Sequence, residues 1–285
     1  MYPEKFQYFA PSDMASLEEL LDKYKDDSKI LAGGQSIIPL LKMRFTSIPN
    51  IIDISNISGL SFIKHNNNLE IGPMTRTAEV AASNTISVNC PLLFDAAGKV
   101  ADPQVRNMGT IGGDICEADP RNDMPAVMLA LNAEFEITNS SGKRTLNSSE
   151  FFKDAYTTAL DSNDILTKIS IKNTGYHGKY FKYTTLASDF AVFAVAINMK
   201  LNSDGTVKDI GIALTNVSST AVKAEEAETY LIGKKIDDKT SEEAFNKLSN
   251  IIELDDDYNG TKEDKEKILK NIFVKGLKEV YGDSK

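Results

Sequence analysis

Two glycine pairs, Gly33-Gly34 and Gly112-Gly113, constrain this chain more than any other feature. The first lies in Ala32-Gly33-Gly34-Gln35-Ser36, directly after the apolar run Lys29 to Leu31. The second closes the polar stretch Asp102-Pro103-Gln104-Val105-Arg106-Asn107-Met108-Gly109-Thr110-Ile111-Gly112-Gly113-Asp114. Glycine lets the main chain turn with positive φ and lets another group approach the backbone closely. Consecutive N–H groups in such turns form a concavity that attracts anions. A helix opening after Ser36 would add its positive end, and Ser36 and Thr110 could each add a hydroxyl. Two such loops could grip one pyrophosphate from both sides, although a lone glycine pair is more commonly just a turn. Neither loop contains Gly-Lys-Ser/Thr or Gly-x-Gly-x-x-Gly. A nucleotide site here therefore belongs to a different fold from the P-loop and dinucleotide-fingerprint proteins.

The flanking pattern gives both loops a setting. Phe6 to Phe9, Lys29 to Leu31 and Asn50 to Ile54 read as strands. A helix capped by Ser12 or Asp13 carries Leu17, Leu20, Leu21 and Tyr24 as its apolar stripe, and Ile37 to Met43 reads as a second helix. The opening is thus a small β-α-β unit with a glycine turn in the middle. Further on, Leu69 to Ile71 and Phe135 to Ile137 alternate as strands do. Ala78 to Asn84, Pro91 to Val100 and Met124 to Leu131 read as helices. The stretch between Asp102 and Asp123 reads as a long loop, and loops of that length in compact domains are usually functional. A boundary is expected at Asn173 to Gly178. Beyond it, Phe190 to Leu201 and Val207 to Leu214 form a hairpin turned by Asn202-Ser203-Asp204-Gly205. The remainder reads as helical, with Ile268, Ile272, Phe273, Leu277 and Val280 on one core-facing stripe.

Composition narrows the function. The formal net charge of −9 disfavours nucleic acid as a partner. No apolar run approaches the ~18–20 residues of a membrane helix, so no membrane span is expected. The opening residues carry no basic region followed by an apolar stretch, so no secretory leader is expected. Cys90 and Cys116 do not make a close-spaced motif, and a reducing cytoplasm is the default setting. An iron–sulfur cluster usually takes four thiolates. Two cysteines and two histidines cannot supply that set, nor a good zinc site. His65 and His177 sit in polar, turn-like segments and receive no role, and Asp255 to Asp257 reads as a solvated run. On local grounds Asp123 fits a helix cap better than a ribose contact. Lys182, within Tyr180-Phe181-Lys182-Tyr183, fits a surface strand, and Phe190 fits a core. No serine–histidine or cysteine–histidine arrangement is suggested by spacing.

Taken together, the motifs resemble the FAD-binding medium subunits of molybdenum hydroxylases, most of all those of carbon monoxide dehydrogenases and related aldehyde oxidoreductases. Ala32 to Lys42 resembles their first flavin loop and Asp102 to Gly113 their second. Asp119-Pro120-Arg121-Asn122-Asp123-Met124-Pro125-Ala126 follows at the family's spacing. Ile71 to Thr75, Leu214 to Val217 and Ala224 to Glu228 extend the likeness over nearly the whole chain.

The resemblance implies an α+β fold: a two-lobed FAD-binding domain over residues 1–173, with lobes at about 1–56 and 57–173, then a C-terminal domain over 177–285, with a small antiparallel sheet at 177–216 and a helical bundle at 221–285. It implies cofactor contacts from Ala32, Gly33, Gly34, Gln35 and Ser36, and from Thr110, Ile111, Gly112, Gly113 and Asp114. It places Asp123 on the ribose or adenine side, and Val100, Leu166, Lys182 and Phe190 near the flavin. The chain departs from the family's pattern at Asp114, where asparagine is usual, at Thr184-Thr185-Leu186, where basic residues are frequent, and at Ser188, where glycine is usual.

The implied role is an electron outlet. Molybdopterin would sit on a large subunit and iron–sulfur clusters on a small one, the whole forming a dimer of heterotrimers. FAD on this chain would pass electrons to an external acceptor such as NAD(P), quinone or ferredoxin. No catalytic side chain is required of the chain. A structural adaptor that has lost FAD, or an independent flavin reductase, are the other readings.

Overall fold

The computed structural model describes residues 2–172 and 174–285. The expected boundary residue Asn173 lies outside the described residues. The chain begins with β1 (Gln7–Phe9), α1 (Met14–Tyr24), β2 (Ser28–Leu31), α2 (Ile37–Met43) and β3 (Asn50–Asp53). The three strands form a parallel sheet in the order β1-β3-β2. Parallel neighbours need crossover connections, and the two helices supply them. Asp13 starts α1 by accepting the Ser16 N–H at 2.9 Å. Leu17 and Leu21 of α1 pack against Ile52 and Ile54. The first glycine loop is the exit from β2, at the carboxyl end of a parallel strand, where α/β sheets commonly place ligands.

The second group contains β4 (Ile63–His65), β5 (Leu69–Ile71), α3 (Thr77–Ala82), α4 (Asn84–Asn89), α5 (Pro91–Lys99), α6 (Pro103–Met108), α7 (Ile111–Glu117) and α8 (Asp123–Ala130). It continues with β6 (Glu134–Asn139), β7 (Gly142–Asn147), α9 (Ser148–Phe151), β8 (Phe152–Asp154), β9 (Thr157–Thr158) and β10 (Ile165–Ile171). Five strands pair antiparallel in the order β4-β5-β10-β6-β7, and β8 pairs with β9. The stretch between Asp102 and Asp123 is not the expected long loop but two short helices. Asp102 accepts the Val105 N–H at 2.8 Å and Pro103 occupies the first turn of α6, while Thr110 Oγ1 accepts the Gly113 N–H at 3.1 Å to start α7. These caps and the proline are helix-start chemistry that reads as loop chemistry in a glycine-rich context. The expected helix from Ala78 to Asn84 also breaks: Ser83 leaves helical geometry and caps α4 through Ile86 N–H. Both histidines lie on strands rather than turns, His65 in β4 and His177 in β11.

The third group is β11 (His177–Tyr183), β12 (Phe193–Leu201), β13 (Val207–Thr215) and β14 (Val222–Lys223), an antiparallel sheet in chain order. It is followed by α10 (Glu225–Leu231), α11 (Asp238–Asn246) and α12 (Lys262–Asp283). β12 alternates small and large apolar residues: Ala194 and Ala196 join the core beneath α5 and α8, while Phe193, Val195 and Ile197 join the core beneath the C-terminal helices. Strand side chains alternate faces, so a two-residue pattern builds a sheet covered on both sides. The small face lets both helices approach closely: a Cβ on Gly211 would stand 1.9 Å from Ala130 O of α8, and one on Gly178 2.8 Å from Leu92 Cβ of α5. On the other face, Gly276 of α12 lies against the Phe181 ring, 2.8 Å from where its Cβ would be. Leu269, Phe273, Leu277 and Val280 are fully buried there. The Asp255 to Asp257 run is tied down: Lys265 Nζ reaches Asp257 at 2.6 Å and the Asp255 carbonyl at 2.7 Å. Among the described residues no helix is long and apolar enough to cross a membrane.

The Gly211 contact predicts a stability effect. Gly211→Val forces backbone apart from backbone and should destabilise the chain by about 3 kcal/mol, the upper range for overpacking. Gly98→Ala, whose Cβ meets open space, should hold or raise the thermal midpoint. Parallel melts followed by circular dichroism check both.

Candidate functional site

The two glycine loops touch. A Cβ on Gly33 would lie 2.4 Å from Met108 O and 2.7 Å from Gly109 Cα, so no larger residue fits between them. Gly34 takes φ +74°, the left-handed region that glycine enters without strain. Gln35 folds back, its Nε2 donating to Gly33 O at 3.0 Å. Among the described residues, the main-chain N–H groups of Gly33, Gly34, Gln35 and Ser36 donate to no protein acceptor. Buried backbone donors are nearly always paired. Gly33 and Gly34 are buried and Gln35 and Ser36 exposed, so the run offers donors both at depth and at the surface.

The second loop is built differently from what two matching anion nests would require. Ile111 N–H donates to Thr75 O at 3.0 Å, Gly112 N–H to Pro73 O at 2.8 Å, and Asp114 N–H to Thr110 O at 3.1 Å. Gly113 N–H is taken by Thr110 Oγ1. The close approach that Gly112 permits is to Pro73, whose Cβ would stand 2.4 Å from a Cβ at 112. The second loop is thus a strut: its donors anchor α7 to the turn after β5, and its Gly109 end supports the first loop. Thr77 N–H to Gly109 O at 3.0 Å and the Arg76 guanidinium on Met108 O hold that end.

At the other side of α7, a second set of candidates converges. Val100, Asp114, Asp123, Lys182 and Phe190 line one small cavity of about 60 Å³, together with Ala101, Asn122, Ser188 and Asp189. Asp123 is not the cap of α8. It is the first helical residue, and its carboxylate takes Lys182 Nζ at 2.8 Å and Tyr180 OH at 2.7 Å. Tyr180 OH also meets Thr215 Oγ1 at 2.9 Å, and Lys182 Nζ donates to Lys99 O at 3.1 Å. Lys182 is therefore no surface lysine: its side chain is 7% exposed. Burial pushes the Tyr180 phenol well above its ordinary range, with the Asp123 charge adding to the effect, so Tyr180 stays a donor. Burial also pushes Asp114 up, to about 8, with Asp123 adding repulsion. The Met124 N–H and the Lys182 charge oppose that shift only in part.

Phe190 lies at the rim and is 55% exposed, not core, with the Arg121 guanidinium 4.7 Å from its ring centre. Arg121 is fixed by a two-pronged pair with Asp119 at 3.1 and 3.0 Å, and Tyr156 OH donates to the same carboxylate at 3.0 Å. Burial works against the Asp119 charge, but these bonds overcome it and hold its carboxyl below the usual range. Leu166 is not brought to the cavity: it is buried in the core of the five-stranded sheet. Tyr180, Thr215, Arg121 and Asn122 were not singled out from sequence. Tyr180 was within reach of such reading, because it stands two residues before Lys182 on one strand and so shares its face.

The buried pair gives a test. Lys182→Met leaves Asp123 buried without its cation and should destabilise the chain by about 3–5 kcal/mol. Lys182→Met combined with Asp123→Leu should recover much of that loss. Urea unfolding of the two variants against the parent measures the difference.

Known proteins resemble the chain over nearly its whole length. Residues 4–172 match the family described as the FAD binding domain in molybdopterin dehydrogenase, and residues 179–280 match the CO dehydrogenase flavoprotein C-terminal domain. The glyceraldehyde dehydrogenase medium chain of Sulfolobus acidocaldarius is 35% identical over 98% of this chain and 100% of its own. The carbon monoxide dehydrogenase medium chain of Hydrogenophaga pseudoflava is 36% identical over 91% of each. The solved carbon monoxide dehydrogenase from that organism superposes with a TM-score of 0.95 at 36% identity, covering 99% of both chains. Quinoline 2-oxidoreductase from Pseudomonas putida superposes at 0.93 with 28% identity, covering 100% of this chain and 99% of that one. The chain belongs to the FAD-binding medium subunits of the molybdenum hydroxylases.

Proposed function

We propose that this chain holds one FAD along the seam of its two glycine loops and serves as the electron outlet of a three-chain molybdenum hydroxylase. The observation that carries this reading is the run of free N–H groups from Gly33 to Ser36, held in place by the strut of the second loop. Such a run suits the two negative charges of a pyrophosphate. Ala32 packs beside it, 3.9 Å from a Cβ at Gly113, and Ser36 closes the run, while the Thr110 hydroxyl caps α7. Ile111 and Gly112 serve by anchoring α7.

α7 then leads from the seam to the cavity, and its Asp114 begins the wall that Asp123 and Lys182 continue, with Tyr180 behind them bonded to Asp123. Val100 and Phe190 supply apolar faces suited to a ring system, while Leu166 supports the sheet behind. The cavity is smaller than the ~300–1,000 Å³ of a typical ligand pocket. Its rim carries the exposed Phe190, with Ser188 and Asp189 beside it. Bound there, FAD would supply the redox chemistry that links iron–sulfur clusters of a partner to an external acceptor. The chain's own residues bind and orient it, shape one exposed face, and set the surrounding charge.

The partners in this reading are a large molybdenum–pterin subunit and a small iron–sulfur subunit, arranged as a dimer of heterotrimers in a reducing cytoplasm. The names of its relatives range over glyceraldehyde, carbon monoxide and quinoline enzymes while the flavoprotein chain stays similar. Substrate choice therefore belongs to the partner that carries molybdenum. An adaptor that had lost FAD would have no use for four unpaired donors beside a loop contact that tolerates only glycine.

Titration of the purified chain with FAD, followed by flavin fluorescence, should give saturable binding near one per chain. Gly33→Ala wedges the loops apart and should weaken that binding by about tenfold or more, ~1.4 kcal/mol, in a chain that still folds. A folded parent chain without saturable binding would overturn the proposal.

A further inference from the structure

Among the described residues, Asp114 Oδ1 and His65 Nε2 are the buried side-chain polar atoms without a partner. Only Asp114 lines the cavity. Its neighbours come from every element packed around it. α8 brings Asp123 and the Met124 N–H, β11 brings Lys182 and Tyr180, and the connection before α8 brings Asp119 and Arg121. Lys99, at the end of α5, acts on Asp123, and Asp189 stands on the cavity wall. Most of these charges are already matched: Lys182 with Asp123 at 2.8 Å, Arg121 with Asp119 at 3.0 Å and Lys99 with Asp95 at 2.7 Å. Asp114 has no cation of its own. A buried carboxylate in that position would face both Asp123 and any anionic ligand, and two close carboxylates do not both ionise readily.

We propose that Asp114 binds FAD as the neutral acid, its carboxyl proton donated to an acceptor oxygen of the dinucleotide, so that ligand affinity is coupled to the protonation of this one side chain. The proposal rests on the FAD reading above and adds a residue that acts as a donor only while it holds its proton. In the free chain, burial keeps the Asp114 proton in place up to about pH 8. A ligand that accepts from the acid favours the protonated form further. Affinity is therefore level below that pH and falls as pH rises through it, by about tenfold per unit for one linked proton.

The test is FAD titration of the full chain by calorimetry and flavin fluorescence between pH 6.5 and 9.5 (roughly 1.5 units either side of the midpoint). Expected is a level affinity that bends downward near pH 8, and uptake of close to one proton per FAD at about pH 9, read from buffers of different ionisation enthalpy. Asp114→Asn, an amide donor that cannot titrate, should remove both the bend and the proton uptake. Proton counting on the parent chain decides the matter even if that variant does not fold. Saturable parent binding with no bend and no uptake overturns the role of Asp114 alone, as does a bend that survives in Asp114→Asn. No FAD binding at any pH overturns this proposal together with the flavin reading.

Discussion

The close seating of the C-terminal sheet on α5 and α8 is the constraint on which the site depends. It requires a face of small residues. Ala194, Ala196, Ala213 and Gly211 supply it, with Gly211 against Ala130 O. Only at that separation can Tyr180 and Lys182 of β11 reach Asp123 at the start of α8. One polar cluster thus joins elements 57 and 59 residues apart in sequence, at the edge of an apolar core. A buried ion pair adds little net stability over an apolar replacement. Its value here is register: β11 and α8 have one arrangement in which the lysine and the phenol are both satisfied, and that arrangement also forms the cavity wall.

Much of this was legible in the sequence. Period-two and period-3.6 patterns located most strands and helices, and the Asn202 to Gly205 turn located the C-terminal hairpin. The boundaries that failed had local causes. Asp102-Pro103 and Thr110 are helix starts, but the glycines around them imitate a loop, so α6 and α7 were not visible. Lys182 and Asp123 each looked ordinary alone. A lysine between aromatics resembles a surface strand, and an aspartate before a helical run resembles a cap. Their pairing is a tertiary fact that no local window contains. The same holds for Gly112, whose glycine character answers to Pro73, a neighbour 39 residues earlier in the chain.

The two glycine loops illustrate how one composition serves two ends. In the first, the chain leaves a parallel strand with four N–H groups unspent. In the second, the N–H groups are spent on Pro73, Thr75 and Thr110. A donor already bound to a carbonyl is a poor phosphate ligand but a good anchor, because breaking the bond would leave the buried carbonyl unpaired. Rigidity in one loop makes the open donors of the other useful: an anion nest that had to be ordered on binding would give up part of its affinity to entropy.

Charge explains why the cavity end can coexist with the seam. The chain is acidic overall, at −9, and its site holds Asp114, Asp119 and Asp123 near where a dinucleotide would lie. Asp119 is compensated by Arg121 and Asp123 by Lys182. That leaves Asp114, which burial pushes toward the neutral form. With it neutral, the three carboxyls and two cations sum to no net charge, and an anionic ligand meets dipoles and hydrogen-bond donors rather than repulsion. Its buried groups hold fixed positions and charges: Tyr180 and Lys182 on Asp123, and Arg121 and Tyr156 on Asp119.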